Sequence, residues 1–268
     1  MRVNDLTPVE RLGGDVWAKR EDTWALGGHG THTGAKVRTC LELARHALQV
    51  HNKPGDDHSQ ATHLVTAGSR HSPQVAIVAE VAASLGLGCQ VHVPAGPDTP
   101  ELLRAAELSA EVVRHRPGHN SVIVARAREA AKAQLGLLIP FGMECQAAVD
   151  LASLQVGNVP RQVERIVVPV GSGMSLAGIL QGMSSWRRDP LPVLGVVVGA
   201  DPSRRLDKWA PPWWRQLVEL VPAGVPYHEH QEGAFLGGIP LDPVYEAKLL
   251  AHLQPWDLVW LVGRRAPA

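Results

Sequence analysis

Cysteine is nearly absent: Cys40, Cys89 and Cys145 are the only three in 268 residues, far apart and with no CxxC pair. That suggests neither a disulfide framework nor a thiolate zinc site, and it suits a reducing compartment such as the cytoplasm. Net charge is missing as well, since 26 basic residues balance 26 acidic ones, so the chain has no general attraction for nucleic acid or an anionic membrane. Any anion site must be local. The longest apolar run, 193–200, is too short to span a bilayer, and residues 1–12 carry four charged side chains with no apolar leader segment. Lysine is scarce too, with six against twenty arginines, so candidates for a reactive amine are few.

What is present is the composition of a globular protein, 45% hydrophobic and 19% charged, long enough for two ordinary domains. A short apolar run at 16–19 leads into a loop with four glycines, Gly27-Gly28-His29-Gly30-Thr31-His32-Thr33-Gly34, read as flexible or tightly turning. Beyond it, Val37, Cys40, Leu41, Ala44, Ala47 and Leu48 recur at helical spacing, so Lys36 lies at a loop-to-helix junction. Strand-like and helix-like stretches then alternate. Strands are expected near 62–67, 89–93, 111–113, 137–140, 166–170 and 193–198, and helices near 73–85, from 99, near 121–134 and from 146. Pro73 suits a first helical position, and Gly86 and Gly88 stop that helix. The unbroken apolar run Val193–Val198 is what a parallel strand covered on both faces requires. Repeated βα units of this kind imply parallel sheets wrapped by helices. Ser203–Val221, with Trp209, Trp213 and Trp214, resists assignment and reads as an insertion or a lid.

Two places concentrate chemistry. One is Lys36, behind its glycine loop. The other is Gly171-Ser172-Gly173-Met174-Ser175, where an apolar strand feeds small residues that open a helix, so that backbone N–H groups and hydroxyls can converge on a phosphate. It lacks the lysine of a nucleotide-binding P-loop, and by itself it is also an ordinary βα turn.

Together with Lys19-Arg20-Glu21-Asp22, Gly68-Ser69 ahead of Gln74-Val75-Ala76, and Leu241-Asp242-Pro243-Val244-Tyr245-Glu246-Ala247-Lys248, these stretches resemble the pyridoxal-phosphate enzymes of the tryptophan-synthase β fold (fold type II). Within that family the resemblance is greatest to the 1-aminocyclopropane-1-carboxylate deaminases and D-cysteine desulfhydrases. It covers nearly the whole chain in order. It implies an α/β fold of two parallel-sheet domains with a shortened C-terminal half: a larger cofactor-binding domain from 1–38 and 144–268, and a smaller one, 39–143, inserted in it. It also implies pyridoxal 5'-phosphate as cofactor, a small amino acid as substrate, deamination or α,β-elimination (deaminase, hydrolase or lyase chemistry) as the reaction, and a homodimer.

On the same resemblance Lys36 forms the internal aldimine and shuttles the substrate proton, Gly171, Ser172, Gly173, Met174 and Ser175 hold the cofactor phosphate, and Glu246 faces the pyridine nitrogen. Tyr245 and Ser69 act on the substrate, with His71 beside them and Tyr227 as a second tyrosine. Each has a plainer reading: Glu246 as an exposed helix residue, Tyr245 as core, Ser69 as a helix cap. The departures are Ala35 and Arg70, where the family usually has asparagine, and Val262-Gly263-Arg264-Arg265 at the end of the last strand. Arg70 is a cation able to clamp a substrate carboxylate or phosphate. It motivates two alternatives to a free-amino-acid enzyme: a pyridoxal-phosphate-binding protein without turnover, and an enzyme acting on an aminoacyl group of a larger anionic molecule.

Other features carry less weight. The pairs His29/His32, His115/His119 and His228/His230 have no cysteine or acidic partner in view, and no metal site is expected. The doublets Arg187-Arg188, Arg204-Arg205 and Arg264-Arg265, with Arg114 and Arg116, read as a solvated face. The tryptophans at 209, 213 and 214 cover a substrate, line an interface or simply pack.

Overall fold

The computed structural model describes residues 2–28, 30–51, 62–186 and 190–265. In chain order it runs through β1 (Val9–Arg11), β2 (Trp17–Arg20), β3 (Thr33–Gly34), α1 (Ala35–His51), β4 (His63–Ala67), α2 (Gln74–Ser84), β5 (Gly88–Pro94), α3 (Pro100–Glu107), β6 (Glu111–His115), α4 (Asn120–Ala133) and β7 (Leu137–Ile139). It continues through α5 (Gln146–Leu154), β8 (Arg165–Val170), α6 (Met174–Trp186), β9 (Val193–Val197), α7 (Ser203–Trp209), α8 (Trp214–Leu217) and β10 (Val218–Pro222). The hairpin β11 (Phe235–Leu236) and β12 (Ile239–Pro240), a 3-10 helix over Glu246–His252, β13 (Asp257–Leu261) and β14 (Gly263–Arg264) complete it. Among these residues the chain forms two compact units, one from 2–28, 33–35 and 144–265, the other from 30–32 and 36–143.

The first unit is built on a six-stranded sheet in the order β1-β2-β13-β8-β9-β10, parallel except for β1 against β2. The central strand β8 shows why the apolar run is unbroken. Ile166, Val168 and Val170 pack on one face with α6 residues such as Leu176 and Leu180, while Val167 meets Leu194, Val196 and Leu249 on the other. Both faces are core, as a parallel strand between helical layers demands. Ser203–Val221 is neither an insertion nor a lid. Its helices α7 and α8 are a crossover that delivers β10 to the sheet edge beside β9. Leu206 and Trp214 are buried in the core, with Trp209 and Trp213 packed against it, so these tryptophans serve packing. No helix stands between β10 and β11 among the described residues.

The second unit carries a four-stranded parallel sheet, β6-β5-β4-β7. The face bearing Val65 and Ala67 packs on Ile123, Ala127 and Ala131 of α4, a four-residue repeat that makes one helical stripe. Residues 74–82 of α2 are all buried, as their nearly continuous apolar sequence requires. Thr99 caps α3, its Oγ1 accepting from Leu102 N at 3.4 Å ahead of Pro100 in the first turn.

Candidate active site

Open parallel sheets bind ligands beyond the carboxyl ends of their strands, because loops there carry side chains and helix N-termini converge. In the first unit β8 ends at Val170, and Gly171-Ser172-Gly173 turns into α6, whose leading N–H groups have no partner within the helix. Gly173 has φ +86°, a left-handed conformation suited to glycine, and its carbonyl accepts from Ala177 N at 2.9 Å. Gly171 is glycine for another reason: a Cβ there would lie 3.0 Å from Tyr245 Cε1 and 3.2 Å from its hydroxyl. The phosphate-type turn and the Tyr245-Glu246 motif, 74 positions apart in sequence, therefore meet.

Asp242 presents that motif. Its Oδ1 accepts from the N–H groups of Val244 and Tyr245 at 2.9 and 3.0 Å, while its Oδ2 accepts from Arg265 Nε at 3.1 Å. The Arg265 guanidinium lies 5.7 Å from the Tyr245 ring centroid. Arg265 thus leaves the surface doublet in which its sequence placed it and belongs to the site. Tyr227 and Tyr245 meet edge to face with their hydroxyls 3.3 Å apart. Burial, then the neighbouring Tyr227, pushes the Tyr245 phenol well above its ordinary value, so it stays protonated. Buried Lys248 steadies Tyr227 by donating from Nζ to Pro226 O at 2.7 Å, and burial lowers the pKa of that amine.

Glu246 is buried, not the exposed helix residue of its plainer reading. Its Oε1 accepts from Val262 N at 2.9 Å and Gly263 N at 3.3 Å, while its buried Oε2 has no hydrogen-bond partner among the described residues. Burial, with Asp242 nearby, pushes this carboxyl well above the usual range. A carboxyl so placed is incomplete without a cationic or N–H donor partner, and a protonated pyridine nitrogen supplies one. With the turn at Gly171, this chemistry fits pyridoxal phosphate.

In the second unit Lys36 is half-buried in the first turn of α1. The chain reaching it is nailed down in the first unit: Ala35 N donates to Val262 O at 2.9 Å, and Gly34, at φ +103°, pairs with Gly263 across β3 and β14. The glycine loop before it is less free than its composition suggests. Glu80 accepts from Thr31 N at 2.8 Å and Thr31 Oγ1 at 3.0 Å, and sits 3.0 Å from His32 Nδ1. Burial works to raise the Glu80 pKa, but the bonds from His32 and Thr31 prevail and hold it low. His32 therefore does have an acidic partner, 48 positions away. His115 pairs with His92, not His119, at 2.8 Å. His29, Lys53, Arg187 and Arg188 lie outside the described residues.

Ser69, Arg70 and His71 follow the carboxyl end of β4 in a turn closed by Ser72 N donating to Ser69 O at 3.1 Å. Arg70 Nη1 donates to Pro97 O at 2.7 Å. The remaining lysines have other employment. Lys19 is buried and donates to Thr7 O at 2.9 Å and Asn158 Oδ1 at 2.7 Å, exposed Lys208 pairs with Glu144, and Lys132 is exposed.

A family profile described as pyridoxal-phosphate dependent enzyme matches residues 2–213. A D-cysteine desulfhydrase of Yersinia enterocolitica is 28% identical over 94% of this chain and 86% of its own length. Among solved structures, an ACC deaminase homologue matches with a TM-score of 0.78 at 23% identity, over 98% of this chain and 90% of that one. Maize serine racemase matches at 0.65 and 14%, over 98% and 88%. These two likenesses are likenesses of fold.

Proposed function

The chain belongs to the pyridoxal-phosphate-dependent enzymes, and we propose that within that family it acts on a small amino acid by α,β-elimination or deamination, releasing ammonia and a keto acid. The observation that carries this reading is Glu246, a buried carboxyl with one oxygen held by two backbone N–H groups and the other lacking a partner among the described residues. Pyridoxal phosphate, when bound, supplies an electron-withdrawing ring that stabilises negative charge at the substrate carbon. Glu246 would face the ring nitrogen and favour its protonated form, and that positive charge would in turn draw the carboxyl toward its ionised form. The N–H groups opening α6, with Ser172 and Ser175, would hold the phosphate.

The remaining steps belong to protein side chains. Lys36 Nζ would anchor the cofactor covalently and, once the incoming substrate amine had displaced it, its freed amine would take the proton from the substrate α or β carbon. Ser69 Oγ and the N–H groups of its turn hold the substrate carboxylate, with His71 alongside. Tyr245, kept protonated by burial and by Tyr227, donates to the departing group. The names of the matched desulfhydrase and deaminase homologue support this class of reaction without selecting the amino acid or its handedness. The few cysteines support a cytoplasmic location, and the resemblance supports a homodimer. No helix among the described residues is long and apolar enough to cross a membrane.

The test is spectroscopic and chemical. Purified protein should show a visible absorbance band that is lost in Lys36→Ala, and titration with D- and L-amino acids should shift the band and release ammonia and keto acid from at least one. A band that Lys36→Ala leaves unchanged would overturn the assignment.

A further inference from the structure

The turn that carries Ser69 is fastened at both ends within the second unit. On one side the Arg70 guanidinium lies flat on Gly96: a Cβ at Gly96 would fall 2.6 Å from Cζ, 2.8 Å from Nε and 2.9 Å from Nη1. Nη1 donates to Pro97 O at 2.7 Å, and Thr99 Oγ1 returns a bond to Arg70 O at 2.5 Å. The β4–α2 turn and the β5–α3 turn are thereby clasped side chain to backbone in both directions. On the other side the buried Gln74 uses its whole amide: Nε2 donates to Thr66 Oγ1 at 2.9 Å and Pro140 O at 2.8 Å, while Oε1 accepts from Gly142 N at 2.9 Å. Gly96 is the complement that admits the clasp. It has φ +154° and no side chain where the guanidinium rests.

We infer that Arg70 is a positioning residue for Ser69, a clasp on the β5–α3 turn, and not a reader of anionic groups on the substrate. The guanidinium is oriented by a carbonyl and a glycine of its own unit, which gives the flexible side chain one fixed geometry and makes the turn a rigid platform. A rigid platform matters because displacing a substrate-positioning group by about 1 Å costs on the order of a hundredfold in rate. The inference rests on the proposed role of Ser69, but the clasp itself does not depend on it.

The test uses the full chain with Arg70→Ala, Arg70→Lys, Gly96→Ala and the double variant Arg70→Ala/Gly96→Ala. Without substrate, hydrogen exchange at the amides of 69–72 should rise about tenfold or more in Arg70→Ala and in Gly96→Ala, with no further rise in the double variant. Arg70→Lys, which keeps a donor in reach of Pro97 O, should exchange at an intermediate rate. With substrate, kcat should fall roughly tenfold to a hundredfold by the same factor for amino acids with neutral and with carboxylate side chains. Unchanged exchange in every variant would overturn the clasp. A selective rise in KM for carboxylate side chains would show that Arg70 reads the substrate and overturn the inference. If the unaltered protein turns over no amino acid, the proposed function fails, and exchange alone decides the clasp.

Discussion

Replacing Gly34 by alanine should damage this protein far more than replacing Gly28, although both glycines lie in the same loop and both have positive φ. Gly28, at +80°, has nothing within 4 Å of where a Cβ would stand. The variant Gly28→Ala therefore meets only the backbone cost of an unfavourable φ, about 1–3 kcal/mol. Gly34, at +103°, would place its Cβ 2.2 Å from Val262 O and 2.4 Å from Gly263 Cα. Both are backbone atoms of the segment that receives the Ala35 N–H, so neither can rotate away. Overpacking of this kind adds about 1–3 kcal/mol or more. Gly34→Ala should thus lose roughly 2–6 kcal/mol, and at about 2–4 °C per kcal/mol for a chain of this size the melting temperature falls by at least several degrees. Val262 and Gly263 also hold Glu246 Oε1, and Gly34 stands two residues before Lys36. Any relaxation therefore disturbs the backbone that holds Glu246 and the chain leading to Lys36, and if these residues have their proposed roles the visible band of the loaded protein should weaken. Thermal melts of the two variants side by side decide it. Equal losses would show that crowding against β14 contributes nothing and that the account of this junction is wrong.

Three other perturbations have defined outcomes. Glu246→Gln keeps the shape and removes the charge; a charge-assisted bond of about 1.5–3 kcal/mol is lost with the cofactor bound, so kcat should fall roughly tenfold to a hundredfold. The cofactor-free variant should be at least as stable as the parent at pH 8, since burial holds the parent carboxyl well above its ordinary value, and a clear loss of stability there would contradict this. His92 is depressed to about 4 by burial, then by His115, so its neutral form belongs to the fold; stability should be full above pH 6.5 and decline as pH falls toward 4. His92→Gln should flatten that part of the stability profile, and parallel profiles would refute the assignment. Lys248→Met leaves Pro226 O without its donor and should cost about 1–3 kcal/mol by urea unfolding. It should also lower activity no more than Tyr227→Phe does, since it acts through that tyrosine.

The elements legible in the sequence are those whose signal is local and repeated. The unbroken apolar runs of β8 and β9, the helical stripe after Lys36 and the stop at Gly86, which has φ +67°, each follow from chemistry within a few residues. The strand β10 was hidden because α7 and α8, of seven and four residues, are too short to show a helical period, which left tryptophans without a frame. The candidate residues divide the same way. Lys36, Ser69 and the turn at Gly171 stand in motifs that can be read directly. Pairs that only the structure brings together are separated in sequence, as with Glu80 and His32 at 48 positions, Arg265 and Asp242 at 23, and Tyr245 and Tyr227 at 18. No periodicity links such pairs; only folding brings the charges together.

Glu246 shows why that distinction bears on function. A carboxyl taken out of water without a full set of donors is unfavourable, by about 1–3 kcal/mol for an unmade hydrogen bond alone. An apolar side chain at this position would pack without that penalty, yet the fold spends Val262 N and Gly263 N on one oxygen and leaves the other without a partner among the described residues. Such a residue weakens the empty protein and strengthens the one holding a cationic ligand, so stability and ligand binding are linked through the same atom. Any ligand that binds only the folded state stabilises it, by about 2.7 kcal/mol at a hundredfold excess over its Kd. At Oε2 a protonated ring nitrogen gains more than a neutral one, because the carboxyl is then ionised and the bond is charge-assisted. On the proposed reading this oxygen would therefore favour the protonated ring, the form that most strongly withdraws electrons from a substrate carbon.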